Sequence, residues 1–162
     1  MGQPAILITG MSGVGKSTAL ARLALRGFAT VDTDTGPWIR DVDGEPLWDE
    51  PLIEQLLAAP RRSPLFVQAT VANQGRFYDR FAAVVLLSAP PPVLFARLAA
   101  RTTNPFGKSE VDRRRIAADI VEVEPLLRSA ATHEIDTDCP VTDVVDALVG
   151  IARDVRRSGR GC

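Results

Sequence analysis

Cysteine is nearly absent from this chain. Two occur in 162 residues, Cys139 and Cys162, which excludes a disulfide framework. Histidine is rarer still. His133 is the single one, so no histidine-based metal site is expected, and its place before "EID" fits a surface or packing role. A surplus of charge of either sign is also missing. Nineteen Lys and Arg stand against 20 Asp and Glu, a formal net charge of −1. Nothing global therefore recruits nucleic acid or an anionic membrane, and any polyanion must be bound locally. Long apolar runs are lacking as well. The N-terminal "MGQPAILITG" has no basic lead and a single five-residue run, "AILIT", so neither a signal peptide nor a membrane span is expected. Ile6 occupies the place where a myristoylation signal needs Ser or Thr. With no internal repeat and no low-complexity linker, the expectation is one cytoplasmic domain over residues 1–155 and a tail over 156–162.

What is present is an alternation of short apolar runs and helical patterns. "AILIT" (Ala5–Thr9) reads as a strand buried on both faces, followed by a helix from about Lys16 to Arg26. "FATVD" gives a second strand ending at Asp32, and "TGPWIRDVDGEP" carries turn chemistry in Gly36-Pro37 and Asp43-Gly44. Asp49 can cap a helix at "PLIEQLLAA". "PLFVQAT" and "AAVVLLS" are unbroken in the manner of parallel strands. A helix "PPVLFARLAAR", a loop "TTNPFGKS" and a helical stretch interrupted at Pro125 follow, then a weak strand "THEID" and a closing helix "VTDVVDALVGIARDV". Alternating strands and helices imply right-handed crossovers. The expected fold is a three-layer α/β/α domain with a mainly parallel sheet of about five strands.

The segment "GMSGVGKST" lies between the first strand and the first helix. Gly10, Gly15, Lys16 and Ser17 match G-x-x-x-x-G-K-[ST], the loop that cradles a nucleotide triphosphate. Glycines allow positive φ and a close approach of backbone N–H groups to the anion. The helix beginning near Lys16 aims its positive end at the phosphates. The nucleotide-binding set is therefore Gly10, Met11, Ser12, Gly13, Val14, Gly15, Lys16, Ser17 and Thr18, with Lys16 on the β- and γ-phosphates and the Ser17 hydroxyl on Mg²⁺. Asp32 ends the second strand where a dinucleotide fold places its ribose acid, but here the glycines lead directly into Lys-Ser, which favours a mononucleotide loop.

"VDTD" sets Asp32 and Asp34 at the carboxyl end of the second strand, where a doubly wound sheet opens its ligand crevice. One carboxylate could hold Mg²⁺ through water while the other positions or deprotonates an acceptor hydroxyl. Beyond the third strand, Asn73, Gln74, Arg76 and Arg80 are polar groups at the same end and are candidate substrate or phosphate contacts. Thr70 could support the metal's water shell. Trp38 and Trp48 flank the turn-rich segment as pocket or packing residues.

With the phosphate loop and the acidic pair in place, the chain resembles the P-loop small-molecule kinases, of which shikimate kinase and adenylate kinase are members. The resemblance implies ATP and Mg²⁺ as cofactors, Asp32 as the metal-assisting acid and Asp34 as the substrate acid. It further implies that Arg97 and Arg101, four apart in "ARLAART", meet adenine and the phosphoryl groups. The loop before the next helix would be a lid (about 102–112) carrying Lys108 as a phosphate contact. One of Arg113, Arg114 and Arg115 would assist, and "IDTDCP" would cover the base through Thr137–Cys139 and Pro140. Lys16, Asp34 and Arg101 are then the catalytic set. The acceptor side departs from the pattern. "VEPLL" puts Val123 and Leu127 where shikimate kinases carry the arginine and tyrosine of R-x-P-L-Y, and no Gly-Gly follows the third strand. The expected activity is transfer of the γ-phosphoryl group of ATP to the hydroxyl of a small molecule, by a monomer or homodimer with no membrane or nucleic-acid partner. The alternative is a nucleotide-dependent ATPase or switch acting with a protein or nucleic-acid partner, for which a guanine N-K-x-D signature is missing.

Overall fold

The computed structural model describes residues 2–100 and 109–158. Seven strands, six α-helices and one 3₁₀ helix form among them. The main sheet takes β1 (Ala5–Thr9), β2 (Ala29–Asp32), β5 (Leu65–Gln68), β6 (Ala83–Ser88) and β7 (His133–Asp136), in the order β2-β5-β1-β6-β7. All of its pairings are parallel. The three-layer parallel architecture expected from the alternation is the one observed. Its centre is β1, whose carboxyl end is the switch point at which the chain departs to either side.

Alternate residues of β1 face opposite layers. Ile6 and Ile8 pack with Leu20, Leu23 and Leu148 from α1 (Lys16–Leu25) and α6 (Val141–Ser158), whereas Ala5 and Leu7 face a second core holding Trp48, Ile53 and Phe77. Every residue of β1 is buried, which is why the run reads as continuously apolar rather than alternating. α2 (Glu50–Ala58) starts where expected, with Asp49 Oδ1 accepting from the Leu52 N–H at 3.3 Å. α3 (Pro91–Ala100) follows β6. The helical stretch breaks near Pro125 into α4 (Glu110–Glu122) and α5 (Glu124–Ala130). Arg128 of α5 donates to Glu134 of β7 at 2.8 Å and to Glu124 at 3.0 Å. The hydrogen bond from Arg128 holds the Glu134 carboxyl below the usual glutamate range, against an opposing effect of burial.

Two segments differ from the sequence reading. "TGPWIRDVDGEP" was expected to be turns, but most of it pairs as an antiparallel hairpin of β3 (Ile39–Val42) and β4 (Glu45–Trp48), separate from the main sheet. Asp43 and Gly44 both have positive φ, 55° and 83°, the combination that a tight two-residue hairpin turn requires. No regular element is expected in "ANQGRFYDRF", yet Gln74–Arg80 winds into a 3₁₀ helix. Its Phe77 stacks edge-on against Trp48 at 5.7 Å, so ring packing supplies the order that its polar sequence conceals.

Candidate active site

The phosphate loop is shaped by what surrounds it. Gly10 has φ +151°, and a Cβ there would collide with the Leu87 carbonyl of β6. Gly13 has φ +85°, and a Cβ would sit 3.1 Å from Leu98 of α3. Both positions therefore require glycine. Gly15, also left-handed, is the N-cap of α1, and neither a side-chain cap nor an acidic residue serves that first turn. α2 and α4, by contrast, are capped by Asp49 and Ser109. An uncapped helix start beside an open loop leaves N–H groups and the positive dipole end for an anion. Lys16 Nζ donates to the carbonyls of Gly10 and Met11 at 2.5 and 3.1 Å, folding its charge over the loop.

At the end of β2 and just past it, Asp32 and Asp34 face one another across a glutamine. Gln68 Nε2 donates to Asp32 Oδ1 and, at 2.9 Å, to Asp34 Oδ2. The Asp34 N–H donates to Asp32 Oδ1 at 3.0 Å, and Ser17 Oγ donates to Asp32 Oδ2 at 3.4 Å. Thr70 Oγ1 donates to the Gly10 carbonyl at 2.7 Å and lies 3.2 Å from Thr9 Oγ1. Among the described residues no group of three or more acidic, His or Cys side chains could hold a metal by itself. A serine hydroxyl beside a carboxylate does fit a hard cation that takes its remaining ligands from phosphate and water.

Two cavities flank the loop. One, of about 300 Å³, is lined by Gly13, Gly15, Thr18, Arg97, Thr137 and Cys139 among others. Arg97 donates to Thr137 Oγ1 and O at 2.9 and 2.7 Å and to the Gly13 and Val14 carbonyls at 3.4 and 3.3 Å. It ties the phosphate loop to the segment after β7. Pro140 sits between the lining residues Cys139 and Val141. The other cavity, of about 720 Å³, is entered by Lys16 and Asp34 together. The β3–β4 hairpin contributes Glu45 and Pro46, the 3₁₀ helix Gln74 and Tyr78, and α4–α5 contributes Arg115, Asp119, Val123 and Leu127. Of the three consecutive arginines, Arg115 reaches this cavity. Arg114 pairs with Glu110 at 2.9 Å, and Arg113 lies near Phe95 and Ala99 elsewhere.

The polar residues after β5 divide by position. Asn73 accepts from the Trp48 N–H at 2.9 Å and donates to the Trp48 carbonyl and Glu50, so its amide is spent on holding the hairpin. Arg76 is exposed and paired with Glu50 at 3.4 Å. Gln74 reaches the larger cavity, but its amide donates to Thr9 Oγ1 and to the Tyr78 hydroxyl at 3.1 and 3.0 Å and accepts from the Val71 N–H. Arg101 and Lys108, with residues 102–108 of the expected lid (about 102–112), lie outside the described residues; the remainder, from Ser109 to Asp112, is the cap and first turn of α4. Gln68 and Tyr78 escaped the sequence reading. The available signal was weak: a polar residue inside the apolar run "LFVQ", and the chain's one tyrosine.

Comparison with known proteins decides the family. Residues 6–118 match the family model described as an AAA domain. The chain is 30% identical to a shikimate kinase of Rhodopseudomonas palustris, an alignment that covers 95% of this chain and 83% of that protein. The chain belongs to the P-loop small-molecule kinases. The fold of this kinase is also that of a shikimate kinase from Acinetobacter baumannii solved with shikimate (TM-score 0.68, 21% identity, 94% of each chain). A gluconokinase from Sinorhizobium meliloti shares it too (TM-score 0.58, 21% identity, 95% of this chain and 94% of that one). As a member of this family the chain is an ATP-dependent small-molecule kinase. Among the described residues no helix of the kinase is long and apolar enough to cross a membrane.

Proposed function

We propose that this kinase transfers the γ-phosphoryl group of Mg·ATP to a hydroxyl of a small acceptor lodged in the larger cavity. One observation carries the reading: Lys16 and Asp34 open onto the same cavity, so a phosphoryl donor and a hydroxyl acceptor can meet between them. The loop N–H groups and Lys16 bind the β- and γ-phosphates, and Arg97 with Thr137 borders the base. Ser17 and Asp32 would hold Mg²⁺, which when bound offsets charge on the transferred group. The acceptor oxygen bonds to the γ-phosphorus, the bond from that phosphorus to the bridging oxygen breaks, and ADP leaves. The hydroxyl proton passes to Asp34, whose carboxylate is held in place by Gln68.

The walls of the cavity describe the acceptor. Val71, Val123, Leu126 and Leu127 give it an apolar side. The Tyr78 hydroxyl accepts from Gln74 and keeps its own proton for a ligand oxygen. With Val123 and Leu127 at the places of the shikimate-kinase arginine and tyrosine, the lining favours a partly apolar alcohol over shikimate. The test is transfer from γ-labelled ATP to a panel of hydroxy acids (shikimate and gluconate included), polyols, nucleosides and amino alcohols. Label is expected in an organic phosphate, and Asp34→Asn is expected to lower transfer by about 10²-fold or more while leaving ADP binding in place. Label released only as inorganic phosphate across the panel would overturn the reading.

A further inference from the structure

We infer that Gln68 is a positioning residue of the transfer site: its buried amide fixes the Asp32 and Asp34 carboxylates side by side, one toward the metal and one toward the acceptor. The inference rests on the roles proposed above for those two acids. Its basis is geometric. Gln68 is fully buried in β5, between β2 and β1, and its Cα is the register partner of Asp32. Its two amide protons are divided between the two acids. A side-chain amide has two N–H donors, so the division uses both. Charge-assisted bonds of this kind are shorter and stronger than neutral ones.

The main chain of Gln68 holds the same turn from behind. Its carbonyl accepts from the Thr33 N–H at 3.3 Å and from Thr33 Oγ1 at 2.9 Å. Thr33 Oγ1 in turn accepts from Trp48 Nε1 at 3.1 Å. The backbone between the acids is thereby pinned at Thr33, and both acid side chains return to the one amide.

The far end of that amide is the telling feature. Gln68 Oε1 is buried with no hydrogen-bond partner among the described residues. Buried polar atoms are ordinarily paired, and an orphan needs an explanation. Turning the amide over would aim Oε1 at two carboxylates, which repel it. The orientation that leaves the carbonyl orphaned is the one that delivers both protons to the acids. A glutamine retained for packing alone would have no reason to face this way, and Met or Leu would fill the strand position without an orphan.

The test separates this role from simple support of the fold. In Gln68→Met, with Tm and metal-free ADP affinity measured as controls, Mn²⁺ binding to the protein·ADP complex is read by electron paramagnetic resonance. Outer-shell partners of metal-facing groups are worth 10–100-fold in affinity. Mn²⁺ affinity is therefore expected to fall by about 10-fold or more, with metal-free ADP affinity changed less than about 2-fold. Unchanged Mn²⁺ affinity in the variant would overturn the inference. A second measurement requires no variant at position 68 and no metal. Nitrogen-15 spectra of the wild type are expected to show a Gln68 side-chain amide with two resolved protons protected from exchange, and one of them moves in Asp34→Asn. Rapidly exchanging protons insensitive to Asp34→Asn would overturn the clamp even if Gln68→Met does not fold. A wild type that binds no Mn²⁺ with ADP would instead overturn the metal role given to Ser17 and Asp32, leaving the amide resonances to decide on Gln68.

Discussion

Around the phosphate loop the binding groups come from main chain; around the larger cavity they come from side chains. The loop offers N–H groups at an uncapped helix start, and Gly10 and Gly13 are dictated by the Leu87 carbonyl and by Leu98. The cavity beside it is walled by Tyr78, Arg115, Asp119 and Val123, carried on a 3₁₀ helix and on α4–α5. A main-chain cradle suits any triphosphate and constrains the sequence tightly through φ and close approach. A side-chain wall can be rewritten one residue at a time. That contrast accounts for a phosphate loop with a recognisable motif beside a cavity whose lining carries none.

The largest effect is expected at Lys16, the one charged side chain of the loop. Lys16→Ala should lower kcat/KM for ATP by about 10³-fold, about 4 kcal/mol, by removing charge stabilisation specific to transfer; steady-state kinetics measures it, and wild-type turnover would end the reading. Next is Trp48, 2% exposed, packed on Phe77 and Phe81 and bonded to Thr33. Trp48→Ala should cost about 3 kcal/mol of stability in urea unfolding. If the halves are as separable as they look, ADP affinity of the folded variant should stay near wild type. A parallel loss of ADP affinity would show the hairpin supporting the loop.

Smaller effects test the brace and a control. Arg97→Ala frees the loop from Thr137 and should weaken ADP binding about tenfold, about 1.4 kcal/mol, in a calorimetric titration. Equal ADP affinity would relegate Arg97 to a bystander. The smallest is Glu134→Gln, at a partly exposed pair, worth less than about 1 kcal/mol after solvent screening. The Glu134 carboxyl is depressed by Arg128, so its contribution is present above the ordinary glutamate range and lost as pH falls through the depressed value. Thermal unfolding at successive pH values should show the acid-side decline made shallower by the substitution, with ADP binding untouched.

The sequence was legible where local chemistry decides structure. β1, the phosphate loop, the Asp49 cap and the break near Pro125 all follow from neighbours in the chain. The hairpin was missed although its strongest signal, Asp43-Gly44, was visible. Four-residue strands with Pro46 in one of them carry too little alternation to outweigh the surrounding turn residues. The 3₁₀ helix was missed because its order comes from Trp48, distant in sequence. Gln68 was invisible for a related reason: a polar residue in a strand has meaning only once β2 and β5 are known to be neighbours. Which of three arginines faces the cavity likewise depends on how α4 is rotated against α3 and α5.

The β3–β4 hairpin shares no backbone pairing with the five-stranded sheet and is fastened by Trp48 and Asn73. It enters the chain between the acids of "VDTD" and the first turn of α2. The hairpin brings Glu45 and Pro46 to the larger cavity while lending no strand to the sheet that carries the phosphate loop. A change in its length would therefore reshape the cavity and leave the frame of the loop in place.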